Sequence, residues 1–173
     1  VYVCPNAPLE VQLGPGMLGY AWTPAGGSRS SEDAKNAETK LATLFEEVMN
    51  KYSVTPGHVI LGGFSQGGMM TYRMGLPNPK MFRGLIALSA RVSGPDELRL
   101  KLPKETTQSI FIAHGTLDSV ISVKDAQQSL AFLTDEGYNP EYHEYNIGHA
   151  ISEQVLGDMS DWIKRVLPPL GAS

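Results

Sequence analysis

The chain has one cysteine, Cys4, among 173 residues, so it cannot form an internal disulfide. Cysteine used so sparingly suits a reducing compartment. No stretch approaches the roughly 20 apolar residues that a membrane span needs, and none reads as a secretory leader. A cytoplasmic protein without stable membrane insertion is therefore expected. Lysine and arginine number 14 against 18 acids, for a net charge of −4. The basic residues form no run, so the chain offers no electrostatic footprint for nucleic acid. One cysteine and four scattered histidines show no zinc-ligand spacing. Neither the phosphate-binding G-x-x-x-x-G-K pattern nor the dinucleotide G-x-G-x-x-G occurs. No metal or cofactor is expected. Internal repeats and low-complexity tracts are also lacking.

Apolar residues make up 42% of the chain, which together with its length suits a single domain over 1–173 with a real core. Val1 to Cys4 reads as a short buried strand closed by Pro5. Residues 5–30 gather many Pro and Gly residues and read as a long loop. That loop holds Met17, Leu18, Tyr20 and Trp22, large apolar residues that either cover the core or wall a substrate pocket. Ser30 and Ser31, followed by Glu32 and Asp33, mark a helix start. Ala34, Ala37, Leu41, Leu44, Val48 and Tyr52 then form one apolar face of a helix ending near Lys51. His58 to Phe64 is a continuous apolar run, as in a central parallel strand buried on both faces. A helix is expected from about Gln66 to Met74, strands at Gly84–Leu88 and Ile110–Ala113, and a helix through Ala126, Leu130 and Leu133 ending at Gly137. Glu141–Tyr145 alternates, as a strand nearer an edge does. A closing helix carries Ile151, Val155, Trp162 and Val166 and stops at Pro168-Pro169. Strands alternating with helices imply a mostly parallel sheet covered on both faces, a three-layer α/β sandwich.

Gly63-Phe64-Ser65-Gln66-Gly67 is a G-x-S-x-G between a buried strand and an apolar helix, the setting of a nucleophile elbow. There the serine sits on a sharp turn, and a side chain at either glycine is expected to collide with its surroundings. An alcohol is a poor nucleophile at neutral pH, so it needs a base, and the base needs an orienting acid. The order along such a chain is Ser, acid, His. His58 and His114 precede or belong to strands, and His143 lies inside an alternating strand. His149 sits in the short loop Asn146-Ile147-Gly148-His149 before the last helix and is the expected base. Among the acids between Ser65 and His149, Asp118 follows an apolar strand in the loop His114-Gly115-Thr116-Leu117-Asp118, beyond a carboxyl end where catalytic groups of open α/β sheets gather. Asp96 is the alternative. Asp125 and Asp135 fall on the following helix and read as solvated.

Together these motifs resemble the phospholipase/carboxylesterase family, which includes acyl-protein thioesterases and small bacterial carboxylesterases. The resemblance lies in Gly62 to Gly68, in His114 to Asp118 followed by Val120, and in Gly148-His149. Cys4-Pro5-Asn6-Ala7-Pro8 and Tyr20-Ala21-Trp22 match more loosely. It implies an α/β-hydrolase fold and hydrolysis of small-molecule carboxylic esters of short or medium acyl chains, through Ser65, His149 and Asp118. The Gln66 backbone N–H would serve the oxyanion hole, and Met17, Leu18, Tyr20 and Trp22 would bind substrate. Thioester or lysophospholipid cleavage is the alternative, and a crippled fragment or binding module the rival of another class. The resemblance also implies a strand, an oxyanion loop and a helix ahead of Val1. Without that strand, the run Val59–Phe64 would stand at an open edge, a pairing hazard. A rearranged segment, residues outside the sequence, or a second copy in a homodimer would then cover it.

Overall fold

The computed structural model describes residues 1–24 and 31–167. It divides into two compact units, Val1–Ser53 and Val54–Ser173.

In the first unit, β1 (Leu9–Gly14) and β2 (Met17–Ala21) pair antiparallel. Leu9 lies opposite Ala21 and Gly14 opposite Met17, with the register shifting between Gln12 and Gly14. Gly16 turns the hairpin at φ 73°, a conformation glycine adopts without strain. This corrects the reading of residues 5–30 as one loop. The alternation Leu9-Glu10-Val11-Gln12 is a strand pattern, and Pro15 falls between the strands rather than inside one. Val1–Cys4 is corrected too. These residues enter no ladder among the described residues, and Val1 and Tyr2 are almost wholly exposed. An extended segment without a ladder partner has neither the hydrogen bonds nor the burial that make a strand. Helix α1 (Ser31–Lys51) follows most of the expected apolar face, with Ala37 and Leu41 buried and Leu44 and Val48 half-buried, but Tyr52 lies beyond its last turn and is exposed. The expected capping residue Ser30 lies outside the described residues.

The second unit is built on four parallel strands: β3 (Val59–Phe64), β4 (Phe82–Leu88), β5 (Ser109–Gly115) and β6 (Glu141–Tyr145), in the order β3-β4-β5-β6. Between and after them run α2 (Gln66–Gly75), the short α3 (Pro95–Arg99), α4 (Val123–Asp135) and α5 (Glu153–Val166). Successive strand residues face opposite sides of a sheet, and β4 uses both. A Cβ on Gly75 of α2 would meet the Leu85 side chain, while one on Gly84 would meet Trp162 and Val166 of α5. Helices α2 and α5 therefore cover opposite faces. Ile86, Leu88, Phe111, Ala113 and Tyr145 pack with Val155 and Trp162 in one apolar cluster. β4 and β5 are almost entirely buried, which explains their unbroken apolar runs. β6 is an edge strand as expected, with Glu141, Tyr142 and His143 half-buried, Glu144 exposed and Tyr145 buried. β3 is the other edge of this sheet among the described residues, and its residues are half-buried or exposed, which corrects the reading of this run as a central strand buried on both faces: a strand paired on one side alone lacks the second neighbour that would cover it. The expected stop at Pro168-Pro169 lies outside the described residues.

Because the four strands are parallel, their carboxyl ends point one way, and the loops after β3, β5 and β6 open at the same end of the unit.

Candidate active site

The chain leaves β3 at Phe64 and enters α2 at Gln66, so the whole turn falls on Ser65. Its backbone takes φ 55° and ψ −119°, a region that non-glycine residues avoid at a cost of order 1–3 kcal/mol. Two backbone hydrogen bonds hold it there. Ser65 N–H donates to Leu88 O at 2.8 Å, and Met69 N–H donates to Ser65 O at 3.0 Å. The Ser65 side chain does not cap α2, which leaves Oγ available for another partner. Close packing sets two of the neighbouring glycines. A Cβ on Gly63 would run into the Gly67 and Gly68 backbone, and one on Gly68 would meet Ala90 Cβ at 2.5 Å. Gly67 corrects the expectation that both motif glycines are sterically required, because a Cβ there meets nothing within 4 Å. The second constrained glycine is Gly68. Gln66 is the first residue of α2, so its backbone N–H lies in the first helical turn.

The structure brings Ser65, His149 and Asp118 together. Ser65 Oγ lies 3.0 Å from His149 Nε2, and His149 Nδ1 lies 2.7 Å from Asp118 Oδ2. With Nδ1 against a carboxylate, that nitrogen carries the proton, and Nε2 is left to accept from the serine hydroxyl. The Phe64 ring packs on the imidazole with centroids 4.7 Å apart. The Asp118 side chain has no exposed surface. Burial pushes its carboxyl up. The hydrogen bond from His149 and those from the Ile121 and Val120 N–H groups, at 2.9 and 2.8 Å, outweigh it and hold the group below its ordinary value. Asp118 is thus fixed as a carboxylate.

The acid and histidine loops are joined through their backbones. Thr116 N–H donates to Tyr145 O and Leu117 N–H to Ile147 O. A Cβ on Gly115 would strike the carbonyls of Ile147 and Gly148, so only glycine lets the loops approach this closely. The alternative acid, Asp96, stands on exposed α3 and pairs with Arg99 at 3.2 Å. His143 faces Glu141 at 3.1 Å, and His58 is exposed. Neither is part of the hydrogen-bonded chain.

Met17, Leu18 and Tyr20 lie on β2, and 61%, 68% and 53% of each is exposed. Such exposure is not that of residues covering a core. Trp22 follows β2 and, with Pro5, Pro8, Leu41 and Leu44, lines an opening of about 250 Å³ in the first unit. Phe64, His114 and Gly115 lie within the two motifs that hold Ser65 and Asp118, but the motifs alone assign them no part in the site.

Four parallel strands flanked by helices, with a strained serine, an imidazole and a carboxylate meeting beyond their carboxyl ends, are the arrangement of an α/β-hydrolase. Esterase PE8 superposes with a TM-score of 0.83 at 28% identity, covering 94% of this chain and 77% of that one. Arabidopsis thaliana SOBER1 superposes with a TM-score of 0.79 at 27% identity, covering 94% and 82%. Among curated relatives, acyl-protein thioesterase 1 of Mycosarcoma maydis is 26% identical over 96% of this chain and 78% of its own length. Carboxylesterase SOBER1 of Arabidopsis thaliana is 31% identical over 73% of this chain, which spans only 60% of that relative. The phospholipase/carboxylesterase family model matches residues 1–167. The chain belongs to the phospholipase/carboxylesterase family.

Proposed function

We propose that the chain is a serine carboxylesterase acting on carboxylic esters of short to medium acyl chain. The observation that carries this reading is the continuous hydrogen-bonded line from Ser65 Oγ through His149 to Asp118. Ser65 Oγ attacks the acyl carbon while His149 Nε2 takes its proton. The alkoxide leaves with that proton and the acyl group stays on Ser65. Water, deprotonated by the same imidazole, then releases the acid. Asp118 holds the imidazole in the tautomer that leaves Nε2 free to accept, and it stabilises the imidazolium. The Gln66 N–H, in the first turn of α2, is the proposed oxyanion donor. Met17, Leu18, Tyr20 and Trp22 are proposed to bind the acyl chain. Methionine's flexible side chain suits several acyl shapes.

Thioester or lysophospholipid cleavage is the second reading, and the relatives named acyl-protein thioesterase 1 favour its thioester form. A cytoplasmic location is proposed with both. No described helix is long and apolar enough to cross a membrane. Nitrophenyl esters of graded chain length, run beside an acyl-thioester, test the choice. Turnover highest on short and medium esters, and lost in Ser65→Ala, is the expected result. Turnover confined to the thioester would replace it with the second reading. Equal hydrolysis by wild type and Ser65→Ala would remove Ser65 from the mechanism, and a chain inert to every substrate would be a binding module.

A further inference from the structure

His114 takes no part in the reaction described above, yet it is one of the most deeply buried polar side chains of the second unit, with 1% of its surface exposed. Its residue position is set by β5, a strand hydrogen-bonded on both sides, to β4 and β6. The ring's Nε2 lies 2.9 Å from Ile121 O and 3.5 Å from Asp118 Oδ2. Both neighbours are acceptors, so Nε2 carries the proton. Nδ1 is buried and has no hydrogen-bond partner among the described residues. A buried polar atom left unsatisfied is costly and calls for a reason. The other edge of the ring supplies one.

Ile121 is engaged at both of its backbone groups. Its carbonyl accepts from His114, and its N–H donates to Asp118 Oδ1 at 2.9 Å. Asp118 Oδ1 also accepts from Val120 N–H, and Oδ2 accepts from His149 Nδ1. The carboxylate therefore sits between the imidazole of His149 and a turn whose far side is pinned by a second imidazole. Without that pin, the Ile121 carbonyl has no side-chain donor and the turn cradling Asp118 can relax. We propose that His114 is a positioning residue for the acid: its Nε2–H, donated to the Ile121 carbonyl beside the Asp118 carboxylate, fixes where Asp118 meets His149. This rests on the reading of Ser65, His149 and Asp118 as the reacting system, but it concerns a residue outside that system.

Chemistry separates the useful replacements. A glutamine amide reaches the place of Nε2 and can donate there. An asparagine amide stops near Nδ1, and leucine donates nothing. In the whole chain, His114→Leu is expected to lower kcat for nitrophenyl acetate by about 10- to 100-fold, the loss typical of a slightly misplaced catalytic group, with KM within about twofold. His114→Gln recovers most of that loss, and His114→Asn does not. In an Asp118→Asn background, His114→Leu costs no further activity although it still lowers the melting temperature, because residues acting through one another are not additive. A downfield proton signal from His149 Nδ1 persists in His114→Gln and shifts or broadens away in His114→Asn. If His114→Leu does not fold, the Gln and Asn pair carries the test. Equal kcat for Gln and Asn variants, an undiminished effect in the Asp118→Asn background, or an unchanged His149 proton in His114→Asn would each overturn the proposal. Hydrolysis that survives Ser65→Ala would instead sink the functional reading, and the His149 proton signal tests the proposal without reference to turnover.

Discussion

Ser65 is where backbone energy and the proposed chemistry meet. Its φ of 55° is unfavourable for a residue with a Cβ, and the surrounding glycines make room for it. Gly63 and Gly68 approach each other's backbone too closely for side chains, whereas Gly67 faces open space. Gly63→Ala is therefore expected to destabilise the protein by at least about 1–3 kcal/mol, as overpacking does. Gly67→Ala, inside a helix, should be neutral or add up to about 1 kcal/mol. Urea unfolding of the two variants checks this, and equal losses would contradict it. Asp118 makes a separate prediction. Its carboxyl is held below its ordinary value in the fold, so it contributes stability above the unfolded-state pKa of about 3.9 and loses it as pH falls through the folded value. The gap in melting temperature between wild type and Asp118→Asn should narrow as pH drops from 5 through about 4 and below. A gap constant from pH 7 to 3 would show that the charge of Asp118 is not what stabilises the loop.

At the scale of elements, α5 and the hairpin differ in what they contribute. Trp162 of α5 is 3% exposed and packs beside Phe111, with ring centroids 5.8 Å apart. Trp162→Ala should cost about 3–5 kcal/mol, measurable as a lower urea midpoint. The exposed side chains of β2 should behave in the opposite way. Leu18→Ser or Tyr20→Ser is expected to shift the preferred acyl length while leaving the melting temperature nearly unchanged. If the melting temperature falls and the preference stays, the hairpin is structural. The same contrast explains what the sequence made legible. β4, β5, α2, α4 and α5 announce themselves through apolar runs and helical periodicity, because burial on a sheet or helix face demands those patterns; β3 carries such a run although it is only half-buried, and β6 is legible from its alternating sequence. The hairpin hid behind Pro8, Gly14, Pro15 and Gly16, residues that usually break strands but here end and turn them. Val1–Cys4 has strand composition, and composition cannot supply a ladder partner. That Ser65, Asp118 and His149 lie within hydrogen-bond reach of one another was legible from their order and loop positions. His114 could not be assigned a part, since only distances relate its Nε2 to Ile121 and Asp118.

At the scale of the whole molecule, one domain over residues 1–173 remains the proposal. Calorimetry should then give a single transition whose calorimetric and van't Hoff enthalpies agree. Two resolved transitions would mean that Val1–Ser53 and Val54–Ser173 unfold independently. The edge position of β3 leaves a homodimer as a proposal that light scattering can test. The central claim is that one strained serine, activated through His149, performs the reaction. A fluorophosphonate probe followed by peptide mass spectrometry tests it most directly. One covalent adduct is expected, on Ser65, with loss of ester turnover in step with labelling and no adduct in Ser65→Ala. Full turnover with Ser65 unlabelled, or an adduct on another residue that tracks the loss of activity, would contradict it.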